Sequence, residues 1–158
     1  MGTASYRQIL WLVTLAATAI IATALASEIF GGLVPCALCL QQRIPYYIAV
    51  PVLVLMLLAN DKAPPALLGL VGLVFAVGAG LAGYHAGVEY GWWEGLSACS
   101  NPVATGSADP LEAVFAAPLV RCDEVQWSLF SISLAGWNFL ISTVSALTVL
   151  VLTARKSA

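Results

Sequence analysis

The chain has 158 residues, 61% of them hydrophobic and 9% charged, with a formal net charge of −2. Soluble domains carry about a quarter charged residues, so a soluble globular fold is excluded and an integral membrane protein is expected. The six Lys and Arg residues form no basic run, and no nucleic-acid partner is expected.

On the order of 20 apolar residues cross a bilayer as a helix. The first such stretch covers 9–26. Ala24-Leu25-Ala26 before Ser27 resembles a signal-peptidase site, but the apolar run is longer than the usual h-region and Arg7 is the single charge ahead of it. The segment is therefore expected to stay as a transmembrane helix. A loop over 27–42 follows and contains Cys36-Ala37-Leu38-Cys39. The second span, 43–59, is short by itself, but running it back through uncharged residues to Cys36 gives ample length. Helix 2 is expected to begin near the C-x-x-C.

The turn-rich segment Asn60-Asp61-Lys62-Ala63-Pro64-Pro65 connects to the third span, 66–88, and makes helices 2 and 3 antiparallel neighbours. In and just after that span, Ala79, Gly83, Gly87 and Gly91 recur at four-residue spacing, the pattern that lets helix backbones approach closely in lipid. Helix packing is the better reading of it than a ligand groove. A long loop over 89–129 contains Asp109-Pro110-Leu111-Glu112, which reads as N-cap, first-turn proline and capping glutamate. A short amphipathic helix is expected there, either on the membrane surface or packed on the bundle. Trp92, Trp93 and Trp127 flank this loop and read as interfacial anchors rather than binding-site residues. The fourth span is 130–153. The fold class is thus all-α integral membrane, a four-transmembrane-helix up-down bundle forming one domain over 1–158.

Arg7, Lys62, Arg155 and Lys156 fall on one side of this arrangement, which the positive-inside rule makes cytoplasmic. Both termini are then inside, the two long loops face out, and all four cysteines lie on or beside outward segments. Thiols there can form and keep disulfides.

At a helix start, free backbone N–H groups and the positive end of the dipole favour thiolates at Cys36 and Cys39. Arg43 follows Cys39 by one turn and places a cation on the same face; so near the membrane it needs a partner or must snorkel. Haem attachment would need His after the second cysteine, where Leu40 stands. A zinc site built with Cys99 and Cys122 is disfavoured by their wide spacing and outward location, so no metal is expected. A purely structural disulfide at the C-x-x-C stays open on chemistry alone. Cys99 and Cys122 read as a disulfide closing the second loop, and two such pairs at one membrane face can exchange by thiolate attack. His85, with Glu89 one turn later, is either a functional intramembrane group or a histidine satisfied by an interhelical hydrogen bond. Being the single histidine, it excludes bis-histidine haem ligation within one chain. An organic carrier in the lipid is the simpler electron acceptor.

The run Pro35-Cys36-Ala37-Leu38-Cys39-Leu40-Gln41-Gln42-Arg43-Ile44-Pro45-Tyr46 resembles the signature of the bacterial DsbB disulfide-bond formation proteins. The resemblance continues through 83–89, Cys99, Arg121 to Trp127, and Ala135-Gly136-Trp137-Asn138, covering nearly the whole chain. The segment 101–118 has no distinctive match. The resemblance implies a quinone-linked inner-membrane enzyme that reoxidises a periplasmic, thioredoxin-like DsbA-type dithiol oxidase. It further implies that Cys99 forms the mixed disulfide with that partner, Cys122 is its loop companion, and electrons pass to Cys36 and Cys39. Cys39 and Arg43 would face the quinone, ubiquinone or menaquinone, and His85 would line its pocket. The alternatives are a non-catalytic four-helix scaffold with structural disulfides, and a quinone reductase resembling vitamin K epoxide reductases, which fits the motif placement less well.

Overall fold

The computed structural model describes residues 3–59, 64–95 and 121–157, with side chains described over 6–59, 64–95 and 121–155. Cys99, the helix expected at 109–115, and most of the connection over 60–65 lie outside the described residues.

Among the described residues, four helices carry the fold: α1 (Thr3–Ile29), α2 (Ala37–Leu58), α3 (Pro65–Glu89) and α4 (Leu134–Ser157). Each contains a window long and apolar enough to cross a membrane, and together they make an all-α membrane bundle. Their starts follow from local chemistry. Cys36 is the N-cap of α2, where its sulfur accepts the Cys39 backbone N–H at 3.3 Å. Pro64 and Pro65 open α3, where a missing N–H costs nothing. Ser133 Oγ accepts the Gly136 N–H at 3.0 Å and so satisfies one free donor at the start of α4.

The fourth helix starts at Leu134 because a hairpin precedes it: β1 (Ser128–Leu129) pairs antiparallel with β2 (Ile132–Ser133). Its two-residue turn places Phe130 (φ 53°) and Ser131 (φ 63°) in the left-handed region, which costs non-glycine residues about 1 kcal/mol or more each. Surrounding hydrogen bonds hold it there. Tyr90 Oη accepts the Ser133 N–H at 3.0 Å, and Trp137 Nε1 donates to the Leu129 carbonyl at 3.2 Å.

α3 packs most extensively against α4, then against α2. One apolar core runs through all four helices and includes Leu10, Tyr46, Leu53, Phe75 and Val149. The small residues of α3 do different jobs. Gly83 meets the Phe139 ring of α4 and Gly78 meets Pro45 of α2, both helix contacts. Gly87 instead receives the indole of Trp93, which folds back from the loop, donates Nε1–H to the Tyr84 carbonyl at 2.9 Å and stacks on the Tyr84 ring. Gly91 (φ 69°) turns the chain after the helix ends. A second small cluster, Cys36, Leu38, Val88 and Cys122, closes the bundle at the end where α2 begins and α3 finishes.

Candidate active site

Cys36 and Cys39 lie one turn apart at the start of α2, and Cys36 Sγ donates to Cys39 Sγ at 3.1 Å. Cys36 is 1% exposed, while Cys39 is half-buried. The hydrogen bond to Cys39, followed by burial, pushes the Cys36 thiol up to about 12. The helix-start argument favoured thiolate at both cysteines; at Cys36 the shared proton and loss of water outweigh the dipole.

Cys122 is also 1% exposed and packs into the same cluster as Cys36, although the sequence places it on a polar loop. Its neighbours Arg121 and Asp123 are paired on the surface at 2.5 Å, and Arg121 holds the Asp123 carboxyl below its usual range. Gln126 Nε2 donates to the Val34 carbonyl at 3.0 Å and ties this segment to the chain just before α2. Three of the four cysteines are therefore gathered at one end of the bundle; Cys99 lies outside the described residues.

His85 reaches this group from α3. Its Nε2 lies 3.5 Å from Cys36 Sγ and 3.8 Å from Glu89 Oε1, while Gln42 Nε2 is 2.5 Å from its Nδ1. The histidine is satisfied between helices and also touches a cysteine. Cys36 Sγ, Cys39 Sγ and a His85 ring nitrogen lie within 4.8 Å of one another, a spacing that also suits a soft metal ion. The zinc argument from sequence weighed only the distant cysteine pair; the third donor comes from α3.

Arg43 finds its partner on α1, where Nη1 pairs with Glu28 Oε2 at 2.5 Å and Nη2 donates to the Ala24 carbonyl at 3.4 Å. Arg43 and Cys39 both line an apolar cavity of about 520 Å³, whose walls come from α1, α2, α4 and the segment 121–129. Alanines and isoleucines of α1 make one side, and Leu134, Trp137 and Ile141 of α4 another. His85 and Glu89 reach it from α3, and Trp127 lines it too, although the sequence reads that ring as an interfacial anchor rather than a binding-site residue. Pockets of this kind, apolar with a few convergent polar groups, suit a small hydrophobic ligand.

Sequence reasoning gave no role to Glu28, Gln42, Tyr46, Asn138 or Ser142. Their signal was their presence in apolar helices, where polar side chains seek interhelical partners.

The family described as "Disulfide bond formation protein DsbB" matches residues 6–152. A disulfide bond formation protein B of Verminephrobacter eiseniae is 29% identical over 94% of this chain and 86% of its own length. That of Polaromonas sp. is 29% identical over 94% and 91%, and one from Xylella fastidiosa is 28% identical over 77% and 74%. No solved structure matches the chain.

Proposed function

The chain belongs to the DsbB family of disulfide bond formation proteins, and on that premise we propose that it is a thiol:quinone oxidoreductase of the bacterial inner membrane. It reoxidises a periplasmic dithiol oxidase of the DsbA kind, with a thioredoxin fold, and passes the electrons through two cysteine pairs to membrane quinone. The observation that carries this reading is the convergence of Cys36, Cys39, Cys122 and His85 at one end of the bundle, beside an apolar cavity that also receives Arg43.

The exchange runs from loop to helix. The partner's thiolate attacks Cys99 Sγ of a Cys99–Cys122 disulfide, and Cys122 leaves as thiolate. The partner's second thiolate then displaces the Cys99 sulfur, so the partner is oxidised and the loop pair reduced. Cys122, in the same buried cluster as Cys36, attacks Cys36 Sγ of a Cys36–Cys39 disulfide and releases Cys39 toward the cavity. Cys99 displaces Cys36 from Cys122, which restores the loop disulfide and leaves two electrons on the helical pair. Each step is thiolate attack on a disulfide sulfur, which requires only access and a good leaving thiolate.

The cavity fits a quinone, because its apolar walls suit a flat ring while Cys39, His85 and Arg43 supply the polar contacts. A bound quinone supplies a sink for two electrons and two protons. Arg43, held by Glu28, is a fixed cation for negative charge developing there, and Cys36 retains the proton it shares with Cys39. Arg7 and Arg155 at the far ends of α1 and α4 support cytoplasmic termini, with the cysteines at the periplasmic face.

The test is quinone reduction followed optically in purified protein supplied with a reduced DsbA-type partner and either ubiquinone or menaquinone. Cys36→Ser and Cys39→Ser are each expected to abolish turnover, and Cys122→Ser to trap the partner on Cys99. Undiminished turnover in both helical variants would end the proposal in favour of a structural scaffold.

A further inference from the structure

Five buried polar side chains from three helices run in file below the cysteines. Ser142 Oγ donates to Asn138 Oδ1 at 3.1 Å, and Tyr46 Oη donates to the same oxygen and lies 2.7 Å from Ser142 Oγ. Asn138 Nδ2 donates to Gln42 Oε1 at 2.5 Å, Gln42 Nε2 faces His85 Nδ1, and His85 Nε2 faces Cys36 Sγ. All five are buried.

A carboxamide can turn either way, so the direction of such a chain is decided where it ends. Here it ends on two hydroxyls. Each hydroxyl has a proton to place, and the two lone pairs of Asn138 Oδ1 accept both. With the Asn138 amide reversed, its NH₂ would face both hydroxyls; one could still donate to the other, but the second proton would have no acceptor within the cluster. With Oδ1 turned to the hydroxyls, Asn138 Nδ2 faces Gln42 and must meet its oxygen. Gln42 then presents Nε2–H to His85, so Nδ1 must be the ring's lone pair. The ring proton is left on Nε2.

We propose that Tyr46, Ser142, Asn138 and Gln42 form a tautomer lock that holds His85 as an Nε2–H donor aimed at the Cys36 sulfur. Their proposed role is positional, exerted through His85, although Gln42, Tyr46 and Asn138 also line the cavity. The catalytic consequence rests on the thiol:quinone reading, whereas the tautomer itself does not. In the locked form, His85 supports negative charge on Cys36 when a disulfide to that sulfur opens. In the opposite tautomer, it would present a lone pair to the sulfur and withdraw that support. Glu89 Oε1, 3.8 Å from the same nitrogen, is the other acceptor within reach.

The chain has a single histidine, so ¹⁵N-histidine labelling of the full protein in lipid nanodiscs gives one pair of ring signals. Wild type in the dithiol form is expected to show protonated Nε2 and unprotonated Nδ1. Asn138→Asp, once infrared shows its carboxyl ionised, offers only acceptors; Gln42 must then turn its Nε2 to Asp and its oxygen to His85. The ring proton is expected to move to Nδ1. Quinone reduction should fall on the order of tenfold, the scale seen when the partner that orients a functional imidazole is lost. Tyr46→Phe combined with Ser142→Ala removes the hydroxyls that choose the direction, and should populate both tautomers even if the aspartate variant fails to fold. An Nδ1-protonated ring in wild type overturns the lock, as does an Nε2-protonated ring that neither set of substitutions changes. Wild type that shows the expected tautomer but reduces no quinone overturns the proposed function and leaves the lock standing.

Discussion

At the scale of single residues, the two helical cysteines are chemically unequal although only one turn separates them. Cys36 is sealed and keeps its proton, with its thiol pushed up to about 12, while Cys39 is half-buried and lines the cavity. The thiolate is the nucleophile, and a raised thiol yields it only as the pH climbs toward the raised value. Between about pH 7 and 9, alkylation of the reduced protein mapped by mass spectrometry is therefore expected to label Cys39 well before Cys36; the reverse order would contradict the asymmetry. Arg43 invites a different comparison. Its partner Glu28 is 39% exposed and Arg43 itself 11%, a pair only partly closed off at the end of α1, and Arg43→Met is expected to change stability by about 1 kcal/mol. Its cost should fall on the acceptor side. KM for quinone is expected to rise on the order of tenfold, as for loss of one charge-assisted contact, with the rate of exchange with the protein partner unchanged. A large loss of thermal stability with normal KM would assign Arg43 a structural role instead.

At the scale of elements, α3 shows how one four-residue spacing serves several purposes. A Cβ on Gly87 would sit 2.0 Å from the Trp93 ring, so Gly87→Ala must expel the indole and break both its hydrogen bond and its stack on Tyr84. Overpacking of this kind costs about 1–3 kcal/mol. A Cβ on Gly80 meets nothing within 4 Å, so Gly80→Ala should be neutral or slightly stabilising. Paired melting curves in detergent check the contrast, and equal melting temperatures would remove Trp93 from the account. The helices themselves were legible because length and hydropathy are local properties, and the start of α2 at the C-x-x-C followed from extending an apolar run. The role of Gly87 was not, since the spacing is the same whether the neighbour is a helix or a tryptophan that returns from a loop. Nor was the hairpin before α4, where Phe130 and Ser131 occupy a turn usually marked by Asn or Gly. Gln42 and Asn138 meet across 96 residues of sequence, and the burial of Cys122 depends on where its segment lands; both are tertiary facts with no local signature.

At the scale of the whole molecule, the proposed function would place two chemistries at one end of a bundle, on different surfaces. Thiol exchange needs the sealed cluster of Cys36 and Cys122, whereas delivery to a lipid-soluble acceptor needs the apolar cavity that α1 helps to wall. Ala19 lies on that wall, on α1, which carries none of the described cysteines. Ala19→Trp adds a large indole to a cavity of about 520 Å³ and leaves every residue of the polar chain unsubstituted, although Gln42, Tyr46 and Asn138 line the same cavity. Ala19 is exposed on α1 and lies outside the buried core, so the added bulk enters the cavity without displacing core side chains. The variant is expected to lower quinone reduction on the order of tenfold, comparable to losing a well-fitted apolar contact worth about 1.4 kcal/mol. Single-turnover oxidation of the reduced partner, read in the absence of quinone, should proceed at the wild-type rate, because one turnover draws two electrons and the two proposed disulfides would together accept four. If Ala19→Trp slowed both half-reactions equally, the cavity and the cysteine cluster would be one mechanical unit; if it slowed neither, the acceptor would have to approach the Cys39 sulfur by a route that avoids α1.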